Sequence, residues 1–319
     1  MLFSYAREDR RLVQLPHSAD LSQALWIDLY RPQPHQAEAV RQLGLEVPTL
    51  ADMEEIEVSN RLYRENGVDY LTVVLPGMSE SKTPLSGPVC FILSPDRLVT
   101  VRHHAPRPFE TYPARADKVG PGLADPRSVF LSLIEEIIGR LADILEASGR
   151  GLDRLMAQVF QDRENTSDEG LHRALQDVAR ESDLVSRVRL SLLTLERAIS
   201  YFGQSLGQDK GGASLRPVVK GLMRDIQALE VHGDFVSGRV AMATDVTLGI
   251  VNLAQNKTVK IVSVVAVIFL PPTVIASAYG MNFTHMPELA QPWGYPMALA
   301  LMLASAVGTY FFFKWKRWL

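Results

Sequence analysis

Residues 261–279 read IVSVVAVIFLPPTVIASAY and residues 294–313 read GYPMALALMLASAVGTYFFF, two runs without a single charge. Each is close to the roughly 20 residues with which an α-helix crosses a hydrocarbon core. The 319 residues are 47% hydrophobic and 22% charged, but the apolar residues are not evenly spread. Up to residue 258 the chain reads as mixed soluble protein, so the hydrophobicity is terminal and two membrane spans are expected. Two buried helices of a soluble core would not need the anchors found here, Trp293 and Tyr295 at one border and Trp315 and Trp318 at the other.

Lys257 and Lys260 precede the first run, and Lys314, Lys316 and Arg317 follow the second. The connector between them, GMNFTHMPELAQPW, has no Lys or Arg. Basic residues stay on the cytoplasmic side, so both termini are expected in the cytoplasm and the connector outside, as in a multi-pass protein of the inner (plasma) membrane. Arg7, Glu8, Asp9, Arg10 and Arg11 interrupt the N-terminal segment before any apolar run of signal length, which argues against a cleavable secretion signal. A net charge of -3 with scattered basic residues offers no footprint for nucleic acid. The lone Cys90 has no disulfide or zinc partner in sequence and reads as a small buried apolar residue.

Upstream of the spans, LWIDLY, DYLTVVLP, VCFILSP and RLVTVRH are strand-like runs, with Ser94, Pro95 and Asp96 supplying a hairpin turn between the last two. A helical stretch at HQAEAVRQLGL and a short helix opened by Thr49 lie among them, so residues 1–124 are expected to form a cytoplasmic α/β domain. From Asp125, with Pro126 at the first helical position, the texture turns helical. Leu131, Ile134, Ile138, Leu141 and Leu145 repeat at three-and-four spacing on one face, and after the polar QDRENTSDEG the pattern runs back, giving a long antiparallel hairpin over 125–212 with the next turn at Gly207 and residues 210–212. A third helix, expected as a stalk over 213–260, has no stop before the first span at 261–279. Gly233, Gly238 and Gly249 weaken it by about 1 kcal/mol each relative to alanine. A helix of that length needs partners in a bundle or an oligomer.

The hydroxyls of the first span, Ser263, Thr273 and Ser277, share one heptad seam. It runs Asn256, Val259, Ser263, Ala266, Leu270, Thr273 and Ser277 in steps of 3, 4, 3, 4, 3 and 4. On a lipid-facing seam those hydroxyls would bond their own backbone carbonyls; around an axis shared by several copies they would line a narrow pore with alternating polar and apolar rings. Two spans cannot enclose an ion path alone, so the pore reading demands an oligomer. Pro271 and Pro272 remove two amide donors and leave carbonyls near residues 267 and 268 unpaired, which is tolerated where neighbouring helices or water satisfy them. Neither span holds a carboxylate, which argues against proton coupling and against a bare divalent site. Magnesium dehydrates reluctantly and is often held through its waters, so a ring of Asn282 amides at the outer mouth suits a hydrated Mg²⁺.

YGMNF, then MPEL, GYP and a second span ending in FKWKRWL resemble the CorA magnesium transporters over residues 252–319; the cytoplasmic part is similar in layout. The resemblance implies a funnel-shaped homopentamer in membrane lipid. In it the first span lines the pore, the second forms an outer ring, and Mg²⁺, often Co²⁺ and Ni²⁺, moves down the electrochemical gradient. It implies Gly280, Met281 and Asn282 as the selectivity loop within the external segment 280–293, and Asn256, Val259, Leu270, Thr273 and Ser277 as pore positions. It also implies Asp245 in the pore neck and closure by cytoplasmic Mg²⁺ between subunits. The regulatory carboxylates do not map cleanly: Glu80 and Asp225 lie near the expected places, the latter about a helical turn away, and both also read as solvated charges. The span 294–313 and basic tail 314–319 complete the layout. A ZntB-like zinc transporter is the rival of the same fold, but GMN and the scattered histidines, with His103 and His104 the one adjacent pair and His285 alone in the outer loop, argue against it. A membrane-anchored enzyme or scaffold is the other rival, and no phosphate-cradling loop, nucleophile elbow, metal motif or cofactor fingerprint favours it.

Overall fold

WIDLY and LVTVR alternate so that Ile27, Leu29, Val99 and Val101 point to one side of a sheet and Trp26, Asp28, Thr100 and Arg102 to the other. The computed structural model describes residues 1–9, 11–16, 18–55, 57–161, 168–208, 212–282, 286–287 and 291–316. Its strands are β1 (Leu2–Glu8), β2 (Arg11–Gln14), β3 (Trp26–Tyr30), β4 (Leu62–Glu65), β5 (Val68–Met78), β6 (Pro84–Leu93) and β7 (Leu98–Arg102). They form one sheet in the order β2-β1-β3-β7-β6-β5-β4. Only β3 and β7 run parallel, with Asp28 opposite Thr100 and Tyr30 opposite Arg102. The four strand-like runs expected from sequence are present, and the β6–β7 turn closes with Ser94 N donating to Arg97 O at 3.1 Å. The sequence reading missed β1, β2 and β4. β2 and β4 are four-residue edge strands and β1 lies next to an edge, and in all three Arg or Glu faces water, so no apolar run announces them.

Each face of the sheet is covered. On one, Ile27, Leu29, Cys90, Ile92, Val99 and Val101 bury against α1 (Pro34–Arg41), α2 (Leu50–Glu54) and the chain between them. Thr49 caps α2 as expected, its Oγ1 accepting from Asp52 N at 3.3 Å while Asp52 Oδ2 accepts from Thr49 N at 2.8 Å. Cys90 is fully buried, and desolvation pushes its thiol up to about 12, so it is inert. A short α3 (Val58–Arg61) leads into β4. On the other face Trp26 packs on Phe109 and Tyr112 of α4 (Pro108–Arg115), and Phe91 packs on Phe109 and on Phe130 of α5 (Pro126–Gln161).

Asp125 opens α5 as expected, its Oδ1 accepting from Ser128 N at 2.7 Å, with Pro126 first in the helix. The return helix α6 spans Asp168–Gln208. Phe130 stacks edge-on against Phe202 and Ser148 bonds Glu181, so residue numbers fall along α6 as they rise along α5 and the pair is antiparallel. The third helix, α7, runs unbroken over Arg216–Tyr279, passing through both Pro271 and Pro272. Arg189 of α6 pairs with Asp234 at 2.8 Å, and Asp153 of α5 pairs with Arg239, which fixes this part of α7 against the hairpin. Thr194 of α6 accepts from Val74 N at 3.0 Å; β4 is too short to reach that amide, so the helix satisfies it. Within one chain Val231, Phe235 and Met242 remain exposed along one face of α7. The last helix is α8 (Gly294–Trp315). The polar break at 162–167 and the turn at 209–211 lie outside the described residues. The chain divides into two compact units, one built from the sheet and the helices up to Thr244, the other from α7 onward of Asp245, α8 and the first residues of α6.

Asp28 in the middle of β3 and Arg102 at the end of β7 are paired. Arg102 Nη2 meets Asp28 Oδ2 at 2.8 Å and Arg102 Nε meets both carboxylate oxygens at 3.1 Å. Thr100 Oγ1 donates to Asp28 Oδ1 at 2.8 Å and itself accepts from Trp26 Nε1 at 3.0 Å. The guanidinium also lies over the rings of Tyr30 and Phe109. Beside it, His104 is buried against Gly77 and Gly87, where a Cβ would come within 2.7 and 2.9 Å of its ring. Burial holds its imidazole neutral, down to about 4, while Nε2 meets Leu75 O at 2.9 Å.

Two outcomes are expected. Arg102→Met leaves the Asp28 carboxylate buried and unpaired and costs about 3–5 kcal/mol, which chemical unfolding of the full-length protein in detergent measures; adding Asp28→Asn returns most of it. Because His104 binds its proton more weakly folded than unfolded, it contributes stability that is complete above the unfolded value and is lost as pH falls from 6.5 toward 4, on the order of 3 kcal/mol. A His104→Gln variant shows a flatter acid limb in the same measurement.

Candidate functional site

An uncharged helix with several hydroxyls must choose which side carries them. Both α7 and α8 are long and apolar enough to cross a membrane, and only 6% and 11% of their most apolar windows is buried. A core helix of a soluble protein is mostly covered, so these two need lipid or further chains around them.

In the unit that begins at Asp245, α7 has two unlike faces. Val264 is buried, and Ile268, Pro271, Pro272, Ile275 and Tyr279 are half-buried. At 3.6 residues per turn these point about 160° away from the line through Val259, Ser263, Ala266, Leu270, Thr273 and Ser277. Asn256 and every one of those six are exposed. Asp245 is exposed too, and its spacing of eleven residues from Asn256 keeps it on the same line. The long helix available in this unit to cover the opposite face is α8. Its own covered positions, Gly294, Ala298, Met302, Ser305, Thr309 and Phe313, form one narrow stripe of mostly small residues, the composition with which membrane helices approach closely.

The seam thus points away from the covered side of α7. Ser263 Oγ donates to Val259 O at 2.8 Å and Thr273 Oγ1 to Phe269 O at 2.7 Å, so within one chain both hydroxyl protons are spent on the preceding turn while their lone pairs face outward. Ala266, Leu270, Thr273, Ser277 and Met281 line one shallow groove along the helix. At the top Gly280 N donates to Ala276 O at 2.9 Å and ends α7. Gly280 does not enter the left-handed region common at helix ends. Its requirement is space, because a Cβ there would sit 3.1 Å from the Ala276 carbonyl oxygen. Gly280, Met281 and Asn282 are all exposed. Phe283, Thr284, His285 and residues 288–290 of the loop, with Arg317 and Trp318 of the tail, lie outside the described residues.

The two carboxylates considered for a regulatory ion are differently placed. Glu80 is exposed and pairs with Arg31 at 2.7 Å. Asp225 is exposed on α7 near Glu135, whose carboxyl is pushed up by partial burial first and then by the charges of Asp225 and Glu136. Among the described residues of one chain, no group of three or more His, Cys, Asp or Glu side chains is placed to hold a metal ion. Sequence reading passed over the Asp28–Arg102 pair; the signal was a charge in the middle of one apolar strand run and another at the end of a second.

Comparison with known proteins agrees with this geometry. Residues 22–317 match the family described as CorA-like Mg2+ transporter protein. A "Magnesium transport protein CorA" of Pasteurella multocida is 34% identical, with 100% of both chains covered. Among solved structures, the complete CorA magnesium transporter from Methanocaldococcus jannaschii superposes with a TM-score of 0.73 at 16% identity, covering 100% of this chain and 99% of that one. The ZntB cytoplasmic domain from Vibrio parahaemolyticus gives 0.54 at 15% identity over 76% of this chain and 94% of its own. Those two likenesses concern the fold, which the magnesium and zinc proteins share, whereas the full-length sequence match separates them. This chain, with its two uncovered apolar helices and its exposed polar seam, belongs to the CorA-like Mg²⁺ transporter family.

Proposed function

We propose that this protein is a homopentameric channel of the inner membrane that carries hydrated Mg²⁺ into the cytoplasm, with Co²⁺ and Ni²⁺ as further cargo, driven by the membrane potential. The observation that carries the reading is the exposed seam on the face of α7 opposite its covered one. A lipid-facing helix gains nothing by collecting Asn256, Ser263, Thr273 and Ser277 on one line, whereas copies arranged around an axis turn that line into rings. The exposed Val231, Phe235 and Met242 supply apolar contact for the same association in the cytoplasm.

In this mechanism Gly280, Met281 and Asn282 form the outer mouth, where the amide oxygen of Asn282 accepts hydrogen bonds from the ion's waters rather than replacing them. Ser277, Thr273 and Ser263 offer polar rings down the path, Thr273 and Ser263 through their lone pairs, since their protons are directed into the helix. Ala266, Leu270 and Val259 form apolar constrictions, and Leu270 and Val259, each 63% exposed in the single chain, are the gate. Asn256 and Asp245 lie toward the cytoplasmic neck, where the carboxylate concentrates cations. A potential of 100 mV contributes about 4.6 kcal/mol to a divalent ion, from roughly 2.3 per charge, so neither nucleotide nor coupled ion is required. Both termini lie in the cytoplasm, with Lys257, Lys260, Lys314 and Lys316 at that border. Cytoplasmic Mg²⁺ closes the channel by binding between subunits. Glu80 and Asp225 are the residues proposed for that role, and Glu80 must release Arg31 to perform it. A zinc-carrying function is the second reading, because the ZntB cytoplasmic domain has the same fold.

In proteoliposomes with an inside-negative potential, wild type admits Mg²⁺ to a trapped dye and Asn282→Ala loses at least about tenfold of that flux, the loss expected for one charge-assisted contact per subunit or more. Zinc entry that depends on a proton gradient, with little Mg²⁺, would favour the second reading. Leu270→Asn raises flux or weakens closure; unchanged behaviour removes the gate from Leu270. Because Cys90 is buried and inert, single cysteines report without background. Cysteines at 259, 263, 270, 273 and 277 react with a membrane-impermeant thiol reagent, and cysteines at 264, 268 and 275 do not.

A further inference from the structure

Beside the sheet, α4 and α5 enclose a cleft of about 520 Å³, within the size range of small-molecule sites. Transport as proposed above makes no use of it. Four cations line it: Arg107, Arg115, Lys118 and Arg140. Arg107 and Lys118 are exposed and belong to no ion pair among the described residues. Arg115 spends Nη1 on Glu136 Oε1 at 3.0 Å, and the rest of its fork stays open with the side chain 59% exposed. Arg140 lies 4.0 Å from Asp143, the outer limit of an ion pair.

Three carboxylates share the cleft, so its charge needs accounting. Glu136 is 8% exposed and its Oε1 already accepts from both Thr111 Oγ1 at 2.8 Å and Arg115. Asp143 faces Arg140. Glu135 is pushed toward its neutral form by partial burial and by the neighbouring Asp225 and Glu136. Glu136 and Asp143 are thus committed to cations of the cleft, while Arg107, Lys118 and most of the Arg115 fork have no anion among the described residues. Unpaired cations at both ends of α4, with the Arg140 guanidinium of α5 lining the same concave surface, are what a multiply charged oxyanion requires, Arg forks matching phosphate oxygens and Lys acting as a point charge.

We infer that the α4–α5 cleft binds a polyphosphate group, held by Arg107, Lys118, Arg115 and Arg140. Glu136 is a positioning residue that fixes the Arg115 fork. The chemistry is shared by a soluble nucleoside triphosphate and a polyphosphorylated lipid headgroup. None of the cleft residues belongs to the proposed ion path, so occupancy of the cleft is tested by binding alone and does not depend on transport.

Isothermal titration uses full-length protein in nanodiscs of zwitterionic lipid, with inorganic tripolyphosphate and with ATP as probes. Saturable binding of either assigns a soluble polyphosphate. Binding seen only when the nanodiscs carry a polyphosphorylated inositol lipid assigns the headgroup. In both cases Arg107→Ala with Lys118→Ala weakens binding at least about tenfold, since each removes a charged contact. Arg180→Ala, in an exposed pair on α6, leaves it within about twofold. Neither substitution removes a partner from a buried group, and an unchanged melting temperature verifies the fold. No binding in any arm, or binding that the double substitution leaves intact or that Arg180→Ala weakens equally, overturns the proposal.

Discussion

A helix in hydrocarbon satisfies its backbone internally, but nothing in the bilayer satisfies a stripe of side-chain hydroxyls and amides. That constraint governs the C-terminal unit. α8 is the long helix of the same unit available to cover one side of α7, and the polar seam faces the other way with the Ser263 and Thr273 protons turned into the helix. The single chain therefore leaves an uncovered surface on the face where we propose the ion path. Two spans are too few to wrap a pore, so the proposed ion path requires association of several protomers. The paired prolines fit the same constraint, because α7 continues through Pro271 and Pro272 without a break and the carbonyls they orphan need water or a neighbour.

The other unit answers to a different solvent. Its sheet is buried on both faces, one by aliphatic packing on α1 and α2, the other by Trp26, Phe91, Phe109, Phe130 and Phe202 linking sheet to helices. Inside that aromatic layer sits the Asp28–Arg102 pair. Two charges removed from water are tolerated because every strong donor is used: three carboxylate contacts from the guanidinium, a hydroxyl from Thr100, and the His104 carbonyl for Arg102 Nη1 at 3.1 Å. The pair ties β3 to β7, the one parallel junction in the sheet. A parallel junction lacks a hairpin to set its register, and a buried pair two residues out of step supplies a specific one.

Much of the architecture was legible because the strongest signals are periodic or local. The N-cap at Asp125, the box at Thr49 and the hairpin at residues 94–97 follow from chemistry within four residues, and each has the expected bonds. The heptad seam follows from helical geometry once a helix is granted, and the exposed face of α7 carries it. Strands β1, β2 and β4 were not legible. Their sequences, LFSYARE, RLVQ and LYRE, mix charges with apolar residues because they lie toward the sheet edges, and only pairing with a neighbour makes them strands.

The sequence by itself marked two helices as long and apolar enough to cross a membrane, since uncharged length, basic flanks and aromatic anchors are properties of the chain and need no contact to be read. It also determined the spacing that puts Asp245, Asn256, Ser263, Thr273 and Ser277 on one line, because α-helical periodicity is set by the backbone. Only the tertiary structure decided which way that line faces, since an amphipathic pattern does not say which side its neighbour will cover. It alone paired Asp28 with Arg102 and Glu80 with Arg31, and gathered Arg107, Lys118, Arg115 and Arg140 around one cleft. Those groups are separated in sequence by up to 74 residues, and long-range side-chain pairing depends on how the layers stack rather than on any local preference of the residues involved.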